Sequence, residues 1–346
     1  MTKIQIEFMR QILMAAAIMI AMSGCKAGEQ GDNMVKVADR DLKRETRTVG
    51  NFDAVRLIGS YDVVYSQGKT TKVEVVAPGN VMDKITTEVK NGTLTISTKK
   101  IAGVTVITRT PDDITVYVTS PTLTEMSLIG SGDITARGTV KSDRLRLNLQ
   151  GSGDMDFNNI ECKNLTANLQ GSGDMKIGKV STSDTAYLQL QGSGDFEVGD
   201  ADSYNLTANL QGSGDMNINR VSSAEIVNAN LQGSGDMTLS SINCKTLDVK
   251  QYGGDMKIKN VKAVKSSVNL MGSGDMTADF NSCSNLTATL YGSGDMRLSG
   301  ATNMYSRQKR GSGNIYDNNL KRSQTMSAGN STEHSAFSPN GIEAQP

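Results

Sequence analysis

A phrase of four residues, Gly-Ser-Gly-Asp, returns along this chain every 19 to 21 residues, and no other feature constrains the fold as much. Its aspartates are Asp133, Asp154, Asp174, Asp195, Asp215, Asp236, Asp255 (where the phrase is Gly-Gly-Asp), Asp275 and Asp295, and Asn314 closes the series. A fixed period of this size marks a solenoid, in which each repeat buries its apolar face only against its neighbours.

Aligned on the aspartate, the copies show an inside and an outside. Before the turn, Leu165, Ala167 and Leu169 alternate with Thr166, Asn168 and Gln170. After it, Met175 and Ile177 bracket Lys176, and Val180 is followed two residues later by a small residue. Period-two alternation means strands with one buried face. Three short strands per turn of about twenty residues predict an all-β fold: a right-handed, single-stranded parallel β-helix with rungs about 4.8 Å apart. No stretch has the 3.6-residue spacing of a helical repeat, and a propeller blade needs about forty residues.

The ends of the chain differ from the repeats. Residues 1–24 carry Lys3 and Arg10 ahead of an apolar run from Ile12 to Met22, too short for a membrane span, which predicts a signal peptide. Met22-Ser23-Gly24-Cys25 resembles a bacterial lipoprotein processing box, so Cys25 is the expected lipid attachment site and the membrane the expected partner. Lys26 in place of an Asp favours the outer membrane over inner-membrane retention. Residues 25–47 read as a polar tether. The β-helix domain is expected over 48–317, irregular over 48–128 and regular over 129–317. Residues 318–346, rich in Ser, Asn and Gly, read as a disordered tail.

Without residues 1–24 the chain has 34 basic against 35 acidic groups and no basic run, which argues against nucleic-acid binding. Trp is absent and aromatics are 4%, too few for an extensive stacking platform.

Asn51-Phe52-Asp53-Ala54-Val55, Val63-Val64-Tyr65-Ser66-Gln67-Gly68 and Asn91-Gly92-Thr93-Leu94-Thr95-Ile96, together with the repeated turns, give the chain a family likeness. Over about residues 50 to 315 it resembles the putative autotransporter adhesin, head GIN domain family. The resemblance implies a secreted or lipid-anchored right-handed β-helix of Bacteroidetes-type bacteria. It supplies no catalytic residues.

Several columns invite chemistry. The aspartates, stacked on one edge, read as structural turn residues; the alternatives are calcium ligands or paired acids of a β-helical glycosidase. Calcium β-rolls use nine-residue repeats, and a catalytic site needs residues that differ from their neighbours. The turn glycines supply positive φ and close stacking, and no helix follows them to make a phosphate cradle. Met155, Met175, Met216, Met237, Met256, Met276 and Met296 point inward as core filler. Cys162, Cys244 and Cys283 share an inward column but sit on non-adjacent rungs, too far apart for a disulfide. The single His334 lies in the tail, so neither a His-dependent triad nor a zinc cluster is expected. No metal and no cofactor are expected.

The column just before the turn reads Gln150, Gln170, Gln191, Gln211 and Gln232, then switches to Tyr252, Met271 and Tyr291. Outward in register, those three form an exposed apolar strip: a stacking ladder, or a binding patch for a glycan or protein ligand. The expected function is a non-enzymatic, lipid-anchored envelope adhesin or binding module. The alternatives are a polysaccharide lyase or hydrolase on the same scaffold, and a purely structural spacer.

Overall fold

The structure, a computed structural model, describes residues 42–101, 104–105 and 114–323. Residues 1–24, Cys25, the tether as far as residue 41 and the tail beyond 323 lie outside the described residues.

The first strands are β1 (Leu42–Arg47), β2 (Ala54–Gly59), β3 (Asp62–Gln67), β4 (Lys72–Pro78), β5 (Ile85–Lys90) and β6 (Thr93–Thr98). A short pair follows, β7 (Lys100–Ile101) with β8 (Val104–Thr105), then β9 (Thr115–Ser120) and β10 (Glu125–Gly130). The regular rungs are β11 (Ile134–Gly151), β12 (Met155–Gly171), β13 (Met175–Gly192), β14 (Phe196–Gly212) and β15 (Met216–Gly233). They continue as β16 (Met237–Ser240) with β17 (Ile242–Gln251), β18 (Met256–Leu270), β19 (Met276–Tyr291), β20 (Met296–Arg310) and β21 (Ile315–Arg322). Together they form a β-solenoid of about ten turns with rungs of roughly twenty residues.

Each regular rung hydrogen-bonds in parallel to the next along almost its whole length, like to like: Met155 faces Met175, Leu165 faces Ala186 and Gln170 faces Gln191. Instead of three separate short strands, the ladder runs from the residue after Asp to the first turn glycine. Corners appear only as register shifts, such as that between Cys162 and Asn164. A corner that keeps the ladder bonded leaves few backbone groups unsatisfied, and such groups are costly when buried. The core is the stack of inward columns, in which the seven methionines are no more than 1% exposed.

At the third corner, small residues turn inward and their side chains donate to the carbonyl two residues on. Ser142 Oγ reaches Arg144 O at 2.8 Å, Ser203 Oγ reaches Asn205 O at 2.7 Å, and Thr302 Oγ1 reaches Met304 O at 2.9 Å. Cys283 Sγ takes the same place, 3.3 Å from Asn285 O. In these four repeats the small residue is therefore a local bond that holds the bend, whereas Thr182 Oγ1 donates to Ser203 Oγ on the next rung.

The first rungs stack out of chain order. β2 pairs in parallel with β10, and β3 with β11. β6 and β9 then pair in parallel on the other side of β2 and β3, so this rung follows them in the chain but precedes them in the stack. Antiparallel strands close this end: β4 on β9, β1 on β4 and β5 on β6. The described fold thus begins at Leu42, inside the expected tether. β1 is polar and exposed except for its half-buried last residue, so it shows no apolar alternation; it forms because the edge of β4 needs backbone partners.

At the other end, Tyr305, Arg307 and Lys309 stand opposite Leu286, Ala288 and Leu290, so charge occupies inward columns. β21 covers the first half of β20 and runs five residues past 317, with Leu320 buried. The nearly buried Asp317 carboxylate accepts Arg307 Nη1 at 3.3 Å and Arg322 Nη2 at 2.6 Å, and the Arg322 guanidinium lies 4.5 Å from the Tyr305 ring centre. Inward-pointing charge of this kind discourages another strand from docking.

Candidate functional site

The repeated aspartates form a ladder. Oδ1 of each accepts the backbone N–H of the next: Asp154 N to Asp133 at 2.9 Å, Asp174 N to Asp154 at 2.8 Å, Asp195 N to Asp174 at 2.8 Å, and so on through Asp215, Asp236, Asp255, Asp275 and Asp295 to Asn314. Asp62, in the worn copy Gly59-Ser60-Tyr61-Asp62, accepts from Asp133 N at 3.3 Å and begins the series. Two further turn N–H groups are met by the neighbouring rung: Gly151 O accepts from Ser172 N at 2.9 Å and Gly173 N at 3.2 Å. Both glycines are sterically fixed. Gly171 has φ +137°, and a Cβ on Gly173 would fall on the carbonyl oxygen of Gly153.

The wall before the turn carries the outward columns. Gln150, Gln170, Gln191, Gln211 and Gln232 donate amide to amide in one direction at 2.9–3.2 Å. Beside them Asn168 donates to Asn148 at 3.0 Å and Asn230 to Asn209 at 2.8 Å, while Tyr187 is inserted between Asn209 and Gln189. The glutamine chain ends where Tyr252 begins. Tyr252 is 46% exposed, Met271 is half-buried and Tyr291 is 38% exposed, so the structure places all three on the surface of consecutive rungs. Tyr291 OH donates to Gln308 at 3.0 Å, and the Arg310 guanidinium lies 5.8 Å from its ring centre.

Three residues near this strip escaped the sequence reading. The rung ending at Asp255 is one residue short in its turn, so Gln251 is drawn inward opposite Leu231 and Leu270 and is fully buried. Its Nε2 donates to Gly254 O and to Asp275 O, while its Oε1 has no partner. The 19-residue interval between Asp236 and Asp255 was the available signal. Arg297 bridges Asp275 Oδ2 at 2.9 Å and Asp295 Oδ2 at 3.4 Å. The N–H of Asp295 and this guanidinium hold the Asp275 carboxyl below the ordinary aspartate value. Arg310, beside Tyr291, follows only from the register of β19 and β20.

Cys162, Cys244 and Cys283 are free thiols. Burial pushes Cys162 up to about 11, and burial followed by the neighbouring Cys283 pushes Cys244 up to about 12. Thiols held neutral in this way are poor nucleophiles. Among the described residues, no three His, Cys, Asp or Glu side chains are grouped to hold a metal ion, and no helix is long and apolar enough to cross a membrane. A depression of about 400 Å³ near Lys69, Pro121 and Thr139 is rimmed by Gln67, whose amide is already bonded to Pro121 O and to the backbone of Lys141.

Fold and surface define a β-solenoid whose distinctive side chains lie on an open sheet wall. The chain belongs to the family described as putative auto-transporter adhesin, head GIN domain, whose model matches residues 51–241. A second family model, Toastrack, matches residues 170–335. Among solved structures, the chain is similar to a putative lipid binding protein from Parabacteroides distasonis, at 21% identity and TM-score 0.47, over 80% of this chain and 97% of that one. It is also similar to putative adhesins from Parabacteroides merdae (20%, TM-score 0.44, 80% and 95%) and Bacteroides fragilis (19%, TM-score 0.40, 80% and 97%). No curated protein matches.

Proposed function

We propose that this protein is a non-enzymatic binding module of the cell envelope, held to the outer membrane by lipid on Cys25, which engages a glycan through the strip Tyr252, Met271 and Tyr291. One observation carries the reading. An outward column that is self-bonded amide for five rungs becomes apolar surface for three, with Tyr252 and Tyr291 exposed and Met271 half-buried. Contiguous exposed apolar surface marks interaction sites, and tyrosine pairs an apolar face with a polar tip suited to sugars. The aspartate ladder has a structural role, since Oδ1 of every member from Asp133 to Asp295 is bonded to the backbone of the next rung. Membership of an adhesin family supports the same class.

The test is a polysaccharide binding screen with the unlipidated chain, run beside an assay for release of reducing ends. Binding without release is expected, and Tyr252→Ser with Tyr291→Ser abolishes it. Release of reducing ends would establish the lyase or hydrolase alternative, and undiminished binding by the double variant would remove the strip from the site.

A further inference from the structure

Charge is distributed unevenly along the solenoid. Residues 130–236 hold fourteen acidic against eight basic side chains, whereas residues 237–323 hold twelve basic against six acidic. The apolar strip lies in the basic part. On its own outward face, Lys250 stands beside Tyr252, and Arg310 stands opposite Tyr291 on the next rung. Among the described residues, Arg310 meets no carboxylate and rests on the Tyr291 ring. Of the acids nearby, Asp248, Asp275 and Asp295 are engaged by cations, while Asp255 accepts the Asp275 N–H on its Oδ1. Asp248 is paired with Lys250 at 3.3 Å, and Asp275 and Asp295 are bridged by Arg297. Of the ladder aspartates from Asp133 to Asp295, these last two are the ones that meet a cation among the described residues. Negative charge on the turn edge is thus offset at two of the strip's three rungs and not along the glutamine column.

We infer that the ligand of this strip is an acidic polysaccharide, a polymer carrying carboxylate on its sugar rings. The inference rests on the reading of the strip as a glycan site. Tyr252, Met271 and Tyr291 lie against the apolar faces of successive sugars, with rungs spaced about 4.8 Å apart, close to the length of one sugar unit. Arg310, outward in register with Tyr291, receives a carboxylate, and a guanidinium already held on an aromatic face is oriented to do so.

The full chain is titrated with polygalacturonate and alginate, with the same polymers after reduction of their carboxyl groups, and with anionic phospholipid vesicles. Binding to the uronates is expected, with loss on carboxyl reduction and weakening as salt rises. Arg310→Gln should weaken it about fivefold, as one lost charge contact implies. Lys257→Gln with Lys262→Gln, a larger charge change on the other walls, should leave it unchanged. Equal affinity for the reduced polymers overturns the acidic assignment and leaves glycan binding standing. Equal weakening by the Lys257 and Lys262 pair overturns it as diffuse charge attraction. Binding to the vesicles alone overturns it in favour of a membrane surface. Binding to none of these polymers removes the glycan reading as well.

Discussion

Asp174 holds the backbone N–H of Asp195 on its Oδ1 at 2.8 Å, and Asp195 repeats the gesture to Asp215 at 2.9 Å. Each turn therefore supplies the acceptor for the turn above it. That explains how carboxylates can sit one rung apart, where repulsion amounts to only roughly 1 kcal/mol in water. It also makes the acceptor oxygen, more than the charge, the feature the turn requires.

Asp174→Asn keeps Oδ1 and should cost little, whereas Asp174→Ala removes the acceptor and should cost about 1 kcal/mol, at the low end because water reaches this edge. Urea midpoints of the two variants check the ranking. Equal loss in both would mean that charge matters instead.

Gly173→Ala should be among the most damaging single changes, about 3 kcal/mol or more, because its Cβ lands on a backbone carbonyl that cannot move without the neighbouring rung. Gly138→Ala has open space and meets only the strain of φ +78°, about 1 kcal/mol. Thermal denaturation of the pair separates steric contact from backbone strain; similar losses would contradict the stacking geometry.

Gln251→Leu restores the leucine column but removes the donor that serves Gly254 O and Asp275 O. We expect destabilisation of about 1–2 kcal/mol despite the gain in apolar volume. A rise in stability would show that the shortened turn satisfies those carbonyls by other means.

The buried thiols set an alkaline limit. Below pH 9 the thiols are protonated in both states; above it the unfolded chain ionises first, because folded Cys244 titrates only near 12. Their contribution is thus full below about 9 and is lost as pH rises toward 12. The melting temperature should fall across that window, and less steeply when Cys162, Cys244 and Cys283 are replaced by Ala. Identical slopes would place the thiols in contact with water.

The regular rungs were legible because their information is local. Leu165, Ala167 and Leu169 reveal their face by alternation, and the aspartate spacing gives the rung length directly. The exposure of Tyr252, Met271 and Tyr291 follows from the same register. What escaped depends on partners distant in sequence. β1 looks like tether because its only reason to be a strand is β4. The rung of β6 and β9 lies out of chain order, which no periodicity reports. Gln251 turns inward because a neighbouring turn lost one residue, and the cluster of Tyr305, Arg307, Asp317 and Arg322 needs β21 folded back on β20.

Hydroxyl-radical footprinting, with and without bound polysaccharide, bears most directly on where this protein binds. Tyr252, Met271 and Tyr291 should be protected on binding, while Tyr204, 52% exposed on another face, should oxidise at an unchanged rate. Protection of Tyr204 with the strip left open would contradict the account.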